Sequence, residues 1–369
     1  MPVWPDSRKG WPDVFSYPPD LFDLPVYGLA SAQKQAMLDE LLPRLSAHHY
    51  EHCQAYRQLV DCHPFDFRCA GSQGQLPVAA RLFKDLELAS IDESEVFRQM
   101  RSSGTSGLAS KITLDGPSAK RQSQVLVKIL QSWLGKQRRP MLLIDAPSTV
   151  KKAGAMTARA AGLQGLSFFG RHHCYALDDE MQLDVDKVQA FFTEHGEQPV
   201  LIFGFTFIVW QQFIQAMINK GLTVNLTNAI LIHGGGWKKM QEQAVTDEQF
   251  KTTIRDTLGN VSVHDYYGMV EQTGTIYMQC EHGHLHTPVW SDVLIRDPAD
   301  LSVVENGETG LIQVSSVLPT SYPGHCILTE DLGTIIGEDD CACGRLGKYF
   351  KVHGRVPKAQ VKGCSDTFV

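Results

Sequence analysis

The stretch from Arg101 to Lys111 gathers hydroxyls and glycines into one short segment. Ser102, Ser103, Thr105 and Ser106 offer hydroxyl donors. Gly104 and Gly107 let the main chain take up φ > 0 and bring its N–H groups close to an anion. Lys111 adds a cation a few positions on. That combination suits a triphosphate. It is not a G-x-x-x-x-G-K-[ST] loop, because no Lys-Ser or Lys-Thr pair follows the second glycine. Taken alone, the segment reads equally well as a polar linker.

Four further constellations follow in order. Gly234, Gly235 and Gly236, before Trp237, expose backbone against which a flat base can slide; a plain tight turn is the simpler alternative. Tyr267, Gly268 and Glu271 offer an aromatic face and one carboxylate, fit to stack on a base and to hold Mg²⁺. Glu271 by itself would be an ordinary surface carboxylate. Asp331 can accept hydrogen bonds from two ribose hydroxyls. Arg355, after His353 and Gly354, offers a fork for ribose or phosphate. A separate cluster comprises Cys280, His282, His284 and His286 with Cys341 and Cys343. Soft and borderline donors on two segments suit a four-coordinate structural Zn²⁺, here assigned to Cys280, His286, Cys341 and Cys343. His282 or His284 can replace His286, and the alternative is a reduced cysteine pair beside a polar loop. Phe205 and Phe207, with Trp237, are candidates for an apolar acyl pocket, though such an aromatic run also reads as plain core.

The elements that must position these residues alternate. Residues 30–62 read as a helix with Ser31 as N-cap and a kink or break at Pro43. A short helix is expected within 78–88, a strand at Lys111–Asp115 and a helix at Ser118–Trp133 capped by Ser118. Apolar runs at 140–145, 199–204 and 228–233, and a strand at 261–267, read as buried parallel strands. Helices fill 149–161, 183–195, 207–220 and 247–258 between them. Strands alternating with helices imply a parallel sheet covered on both faces. From about Trp290 the chain turns β-rich, with strand-like runs at 293–296, 311–317 and 332–336. The expected organisation is an α/β body over 1–289, with a proline-rich extended arm at 1–28, and a smaller β-rich subdomain over 290–369 that ends in a polar tail.

Composition fits this. The chain is 43% hydrophobic with a net charge of −7, and no basic face points to nucleic acid. The apolar stretch from Pro199 to Trp210 is too short to span a bilayer. Nine dispersed cysteines and no leader-like N-terminus predict a reducing cytoplasm.

In order and spacing these motifs resemble the adenylate-forming (acyl-CoA synthetase-like) superfamily. Gly307-Glu308-Thr309-Gly310 and Gly354-Arg355 match two more of its motifs. Within it the resemblance is to the LuxE-type acyl-protein synthetases. It is most specific at Ser102–Thr105, Gly234–Lys238, Thr320-Ser321-Tyr322-Pro323 and Lys362-Gly363-Cys364-Ser365. The resemblance implies ATP- and Mg²⁺-dependent adenylation of a fatty acid or related carboxylate. It implies acyl transfer to Cys364, and from there to a partner acyl-CoA reductase-like protein, with a homo- or hetero-oligomer possible. A thiolate attacking an acyl adenylate agrees with ordinary nucleophilic chemistry. Lys362 and Arg355 can lower the Cys364 pKa if they lie close. The resemblance would also bring a lid domain after the Gly-Arg hinge, whereas the sequence ends fourteen residues after Arg355. Lys358 and Lys362 are the candidates for the lid's lysine. A Cys-x-Cys-Gly-Arg motif also occurs in phenylacetate-CoA ligase-like relatives. Two rivals are a ligase that loads CoA or a carrier protein, and a non-catalytic nucleotide-binding scaffold subunit.

Overall fold

The computed structural model describes residues 15–63, 71–102, 109–151, 158–237 and 244–356. A twelve-stranded mixed sheet runs through it. Five parallel strands lie in the order Gly259–Tyr267, Leu226–Gly234, Val200–Phe205, Arg139–Ile144, Gly170–Tyr175. Beyond Gly259–Tyr267 the sheet becomes antiparallel. Tyr277–Gln279, Leu285–His286, Lys348–Arg355, Cys326–Glu338, Thr309–Ser316 and Ser291–Arg296 follow side by side. Val78–Ala79 adds a short parallel strand to Cys326–Glu338.

The central parallel strands Arg139–Ile144 and Val200–Phe205 are apolar almost throughout because both faces are covered. Side chains alternate between two layers. Met141, Leu143, Leu201 and Phe203 pack with Leu38, Leu41, Leu42, Leu45, Ile129 and Leu163 on one side. Leu142, Ile144, Val200 and Ile202 pack with Phe192, Phe213, Ile254 and Leu258 on the other.

Several local expectations are corrected. The first helix runs Ser31–His52 straight through Pro43, and the break falls at Cys53, whose backbone is extended (φ −121°, ψ 106°), before Gln54–Asp61. Pro43 is buried together with Leu41, Leu42 and Leu45, and that packing offsets the lost helix bond, about 3 kcal/mol. Ala30 is the N-cap residue; the Ser31 N–H donates to the Asp339 carboxylate at 2.9 and 3.0 Å. The next long helix, Gly116–Leu134, is capped by Asp115, which accepts from the Ser118 N–H at 2.8 Å. Of the expected helix at 149–161, the described residues show Ser148–Lys151 and Ala158–Ser167, and 152–157 lie outside them. That at 78–88 shrinks to Leu82–Asp85. Gly170–Tyr175 is an unforeseen strand: it lies at the sheet edge, and its Arg-His-His core carries no apolar run. No helix among the described residues is long and apolar enough to cross a membrane.

His49 and His325 stack at 4.9 Å inside this core, both fully buried. Burial pushes the His325 pKa down to about 3, with His48 adding to the effect, and drives His49 well below its usual value. The folded state therefore binds fewer protons than the unfolded chain, whose histidines titrate near 6.5. Stability should be complete above pH ~6.5 and fall toward pH 3, by up to ~1.4 kcal/mol per pH unit for each buried histidine. Urea midpoints measured from pH 7.5 down to 4.5 check this. His325→Asn should flatten the slope by close to one histidine's share.

Candidate active site

Arg98–Arg101 and Lys111–Leu114 pair as an antiparallel ribbon with Arg101 opposite Lys111. The ends of the hydroxyl-rich loop are thereby held together. The Ser102 N–H donates to the Ser110 carbonyl at 3.1 Å, and the Ser110 N–H to Ser102 Oγ at 2.9 Å. Ser103, Gly104, Thr105, Ser106 and Gly107 lie outside the described residues, as do Lys238, Lys358, Lys362 and Cys364. Lys111 forms a half-exposed ion pair with Glu87 at 3.3 Å.

The antiparallel half of the sheet delivers the second group. Asp331 and Arg355 face each other across neighbouring strands. The Tyr267 hydroxyl donates to Asp331 Oδ2 at 2.7 Å, and Arg355 Nε lies 3.6 Å from Oδ1. Burial raises the Asp331 pKa, while Tyr267 and Arg355 pull it back. Arg355 remains largely exposed, its fork turned to solvent and not consumed by the carboxylate.

Glu271 sits in the one-turn helix Val270–Gln272 and is 8% exposed. Gln272 pins that turn by donating to the carbonyls of Val314 at 3.1 Å and Gly324 at 3.0 Å. Position 324 must be glycine, since a Cβ there would stand 2.6 Å from the Glu271 carbonyl oxygen. Burial pushes the Glu271 carboxyl up. The Ser110 hydroxyl, standing beside it without a full hydrogen bond, pulls it back, as do Lys84 and Arg355. Glu271 thus connects the base of the loop to the Tyr267–Asp331–Arg355 group. It is a buried carboxylate turned toward cations, the donor type that Mg²⁺ takes.

Lys84 was not legible in sequence. It lies on Leu82–Asp85, immediately after the strand that pairs with Cys326–Glu338, and its ammonium makes no ion pair among the described residues. A lone lysine after Leu82 and Phe83 carries no spacing signal. Asp145 was missed for the same reason. It closes the strand Arg139–Ile144, fully buried, with Arg159 bound to it by two contacts of 2.7 Å.

The triple glycine ends the strand Leu226–Gly234. A Cβ at Gly234 would stand 2.5 Å from the Tyr266 ring, so glycine lets that ring lie against the strand end. Gly235 and Gly236 have φ of 83° and 58° and reverse the chain. The three pocket candidates are not brought together. Phe205 packs with Phe203 and Tyr266 on one face of the sheet. Trp237 packs with Trp210 and Phe250 on the other. Phe207 is half-buried at the start of the following helix.

The Cys/His residues do converge. One donor atom each from Cys280, His286, Cys341 and Cys343 lies within 4.8 Å of the others. His284 Nδ1 reaches only Cys341, at 3.5 Å, and stands on the outer side of the group.

A family model described as "Acyl-protein synthetase, LuxE" matches residues 20–369. The long-chain-fatty-acid–luciferin-component ligase of Vibrio harveyi is 24% identical over 346 residues, covering 91% of this chain and 88% of that protein. The protein of the same name from Aliivibrio fischeri is 24% identical over 347 residues, covering 90% and 88%. Among solved structures, 2-hydroxyisobutyryl-CoA ligase superposes in an open conformation with 2-HIB-AMP and CoA. The TM-score is 0.69 at 15% identity, covering 94% of this chain and 81% of that one. Its postadenylation state gives a TM-score of 0.70 at 14% identity, over 94% and 73%. The fold is therefore that of the adenylate-forming ligases, and the chain belongs to the LuxE acyl-protein synthetase family.

Proposed function

We propose that this ligase adenylates a long-chain fatty acid, or a related carboxylate, with ATP and Mg²⁺. It then takes the acyl group onto Cys364 as a thioester for delivery to a partner acyl reductase. The observation that carries the first half is the convergence of Tyr267, Asp331, Arg355 and Glu271 at the base of the Ser102–Ser110 loop. The printed name of the relatives supports the substrate class.

Each residue has work suited to its chemistry. Asp331, held by Tyr267, accepts from the ribose hydroxyls. Arg355 places a cation beside ribose or phosphate. Glu271 holds Mg²⁺, which supplies charge neutralisation at the phosphates. The loop's hydroxyls and N–H groups bind the triphosphate, and the glycine turn with its neighbouring tyrosines takes adenine. The substrate carboxylate attacks the α-phosphorus, the bond to the β-phosphate oxygen breaks, and pyrophosphate leaves. The Cys364 thiolate then attacks the acyl carbon and AMP departs.

Carboxylate-dependent ATP–pyrophosphate exchange tests the first half, and a fatty-acid panel should give exchange with long chains. Silence with every acid, alongside ATP binding, would leave a scaffold subunit. For the second half, labelled fatty acid and ATP should give a hydroxylamine-labile label on the protein. Cys364→Ser should lose that label and retain exchange. Label that persists in this variant, or product appearing only with CoA, overturns the acceptor assignment.

Glu271 must be ionised to hold the metal, so Glu271→Gln should lower exchange by about 10²-fold or more. Lys84→Met removes one of the cations that offset the burial of Glu271. The acid limb of the exchange–pH profile should move to higher pH, and the deficit should shrink as pH rises. A deficit equal at all pH values contradicts this role.

A further inference from the structure

We infer that Cys280, His286, Cys341 and Cys343 form a closed tetrahedral Zn²⁺ centre. It clamps the hairpin of Cys326–Glu338 and Lys348–Arg355 at the end opposite Asp331 and Arg355. The metal assignment stands apart from the adenylation reading.

Two donor separations match the ion. A tetrahedral centre with Zn–S near ~2.3 Å and Zn–N near ~2.0 Å separates two sulfurs by ~3.8 Å and a sulfur from a nitrogen by ~3.5 Å. Cys280 Sγ and Cys341 Sγ are 3.9 Å apart, and Cys343 Sγ lies 3.3 Å from His286 Nε2. The sulfur pair is too far apart for a disulfide bond of ~2.05 Å. The donors are also prepared. The main-chain N–H groups of His282 and His284 point at the Cys280 sulfur, that of Cys343 at Cys341, and that of Arg345 at Cys343. The His286 ring is fully buried, stacked on Tyr349 and edge-on to Tyr27, and its Nδ1 has no hydrogen-bond partner.

Three thiolates and a neutral imidazole around Zn²⁺ leave one net negative charge. Arg345 supplies the balance. It stacks 3.8 Å over Trp133 next to Cys343 and also reaches Glu281 at 3.5 Å. Four protein donors fill the coordination sphere, so the centre is structural and has no place for an activated water.

The clamp follows from where the donors sit. Cys341 and Cys343 belong to the turn between Glu338 and Lys348, and Gly344 and Gly347 take φ of 77° and 90° there. His286 lies on the adjoining strand Leu285–His286, and Cys280 directly follows the next one, Tyr277–Gln279. The same turn holds the first helix, since Asp339 accepts from the N–H groups of both Ser31 and Gly347. Without the ion, three thiols and an imidazole remain packed against one another with no charge to organise them.

Elemental analysis of the full chain, purified without chelators, should give about one zinc per chain. Cobalt substitution should give the thiolate charge-transfer and visible bands of a tetrahedral site. Cys343→Ser and His286→Gln should each lower zinc content at least about fivefold, whereas His284→Gln should leave it within about 20%. The clamp is read by hydrogen exchange on the wild-type chain with its zinc extracted and then restored. Amides of 326–338 and 348–355 should exchange at least about tenfold faster without the metal and recover with it. Less than half an equivalent of zinc, with no cobalt spectrum, overturns the site even if a variant fails to fold. Unchanged exchange after verified removal overturns the clamp and leaves only the ion. Neither result depends on whether wild-type protein supports ATP–pyrophosphate exchange.

Discussion

The arrangement depends on a two-residue strand. Leu285 pairs with Gln279 on one side and Phe350 on the other, while His286 pairs with Met278 and Tyr349. Through those contacts the parallel half of the sheet, ending at Tyr267, is continuous with the antiparallel half that carries Asp331 and Arg355. The Tyr267–Asp331 hydrogen bond exists because this splice brings together residues 64 positions apart in sequence. His286 in the same pair faces Cys343, so the cysteine cluster and the Tyr267–Asp331–Arg355 group share one joint.

Buried charge stiffens that joint. Lys34 and Lys348 both contact Asp292, at 3.1 and 2.8 Å, and all three side chains are nearly inaccessible. Burial pushes the Asp292 carboxyl up, but the two ammoniums more than reverse this and hold it below its usual range. Burial lowers the Lys34 pKa despite Asp292, while Lys348 is raised by the same carboxylate. A trio of this kind is a poor source of net stability, because desolvation offsets most of the attraction. Its use is directional. Asp292 is the counter-ion both ammoniums share, and removing it would strand two buried positive charges, so the first helix, which carries Lys34, has one acceptable seat on the sheet.

The elements that could be read from sequence were those whose pattern reports burial directly. The apolar runs at 140–145, 199–204 and 228–233 became central strands because both faces of a parallel sheet demand apolar side chains. Asp247–Leu258 is observed as expected, with Thr246 as cap. Elements fixed by tertiary context were not legible. Gly170–Tyr175 is a polar edge strand, and Pro43 is tolerated only because the leucines around it are buried. At the site, Tyr267, Glu271, Asp331 and Arg355 carried recognisable motif spacings, and they lie near one another. Lys84 carried none. Phe205 and Trp237 looked like one aromatic wall, but strand and turn geometry send them to opposite faces.

Lys348–Arg355 is an interior strand, paired along its length with Cys326–Glu338 and at Tyr349 and Phe350 with Leu285–His286. The segment that carries Cys364 is joined to its far end. Tension applied at Arg355 along the strand axis would load the hydrogen bonds to Cys326–Glu338 in shear, all at once. An edge strand pulled sideways would unzip bond by bond. The strand is therefore an anchor that resists force along its own axis better than force across it.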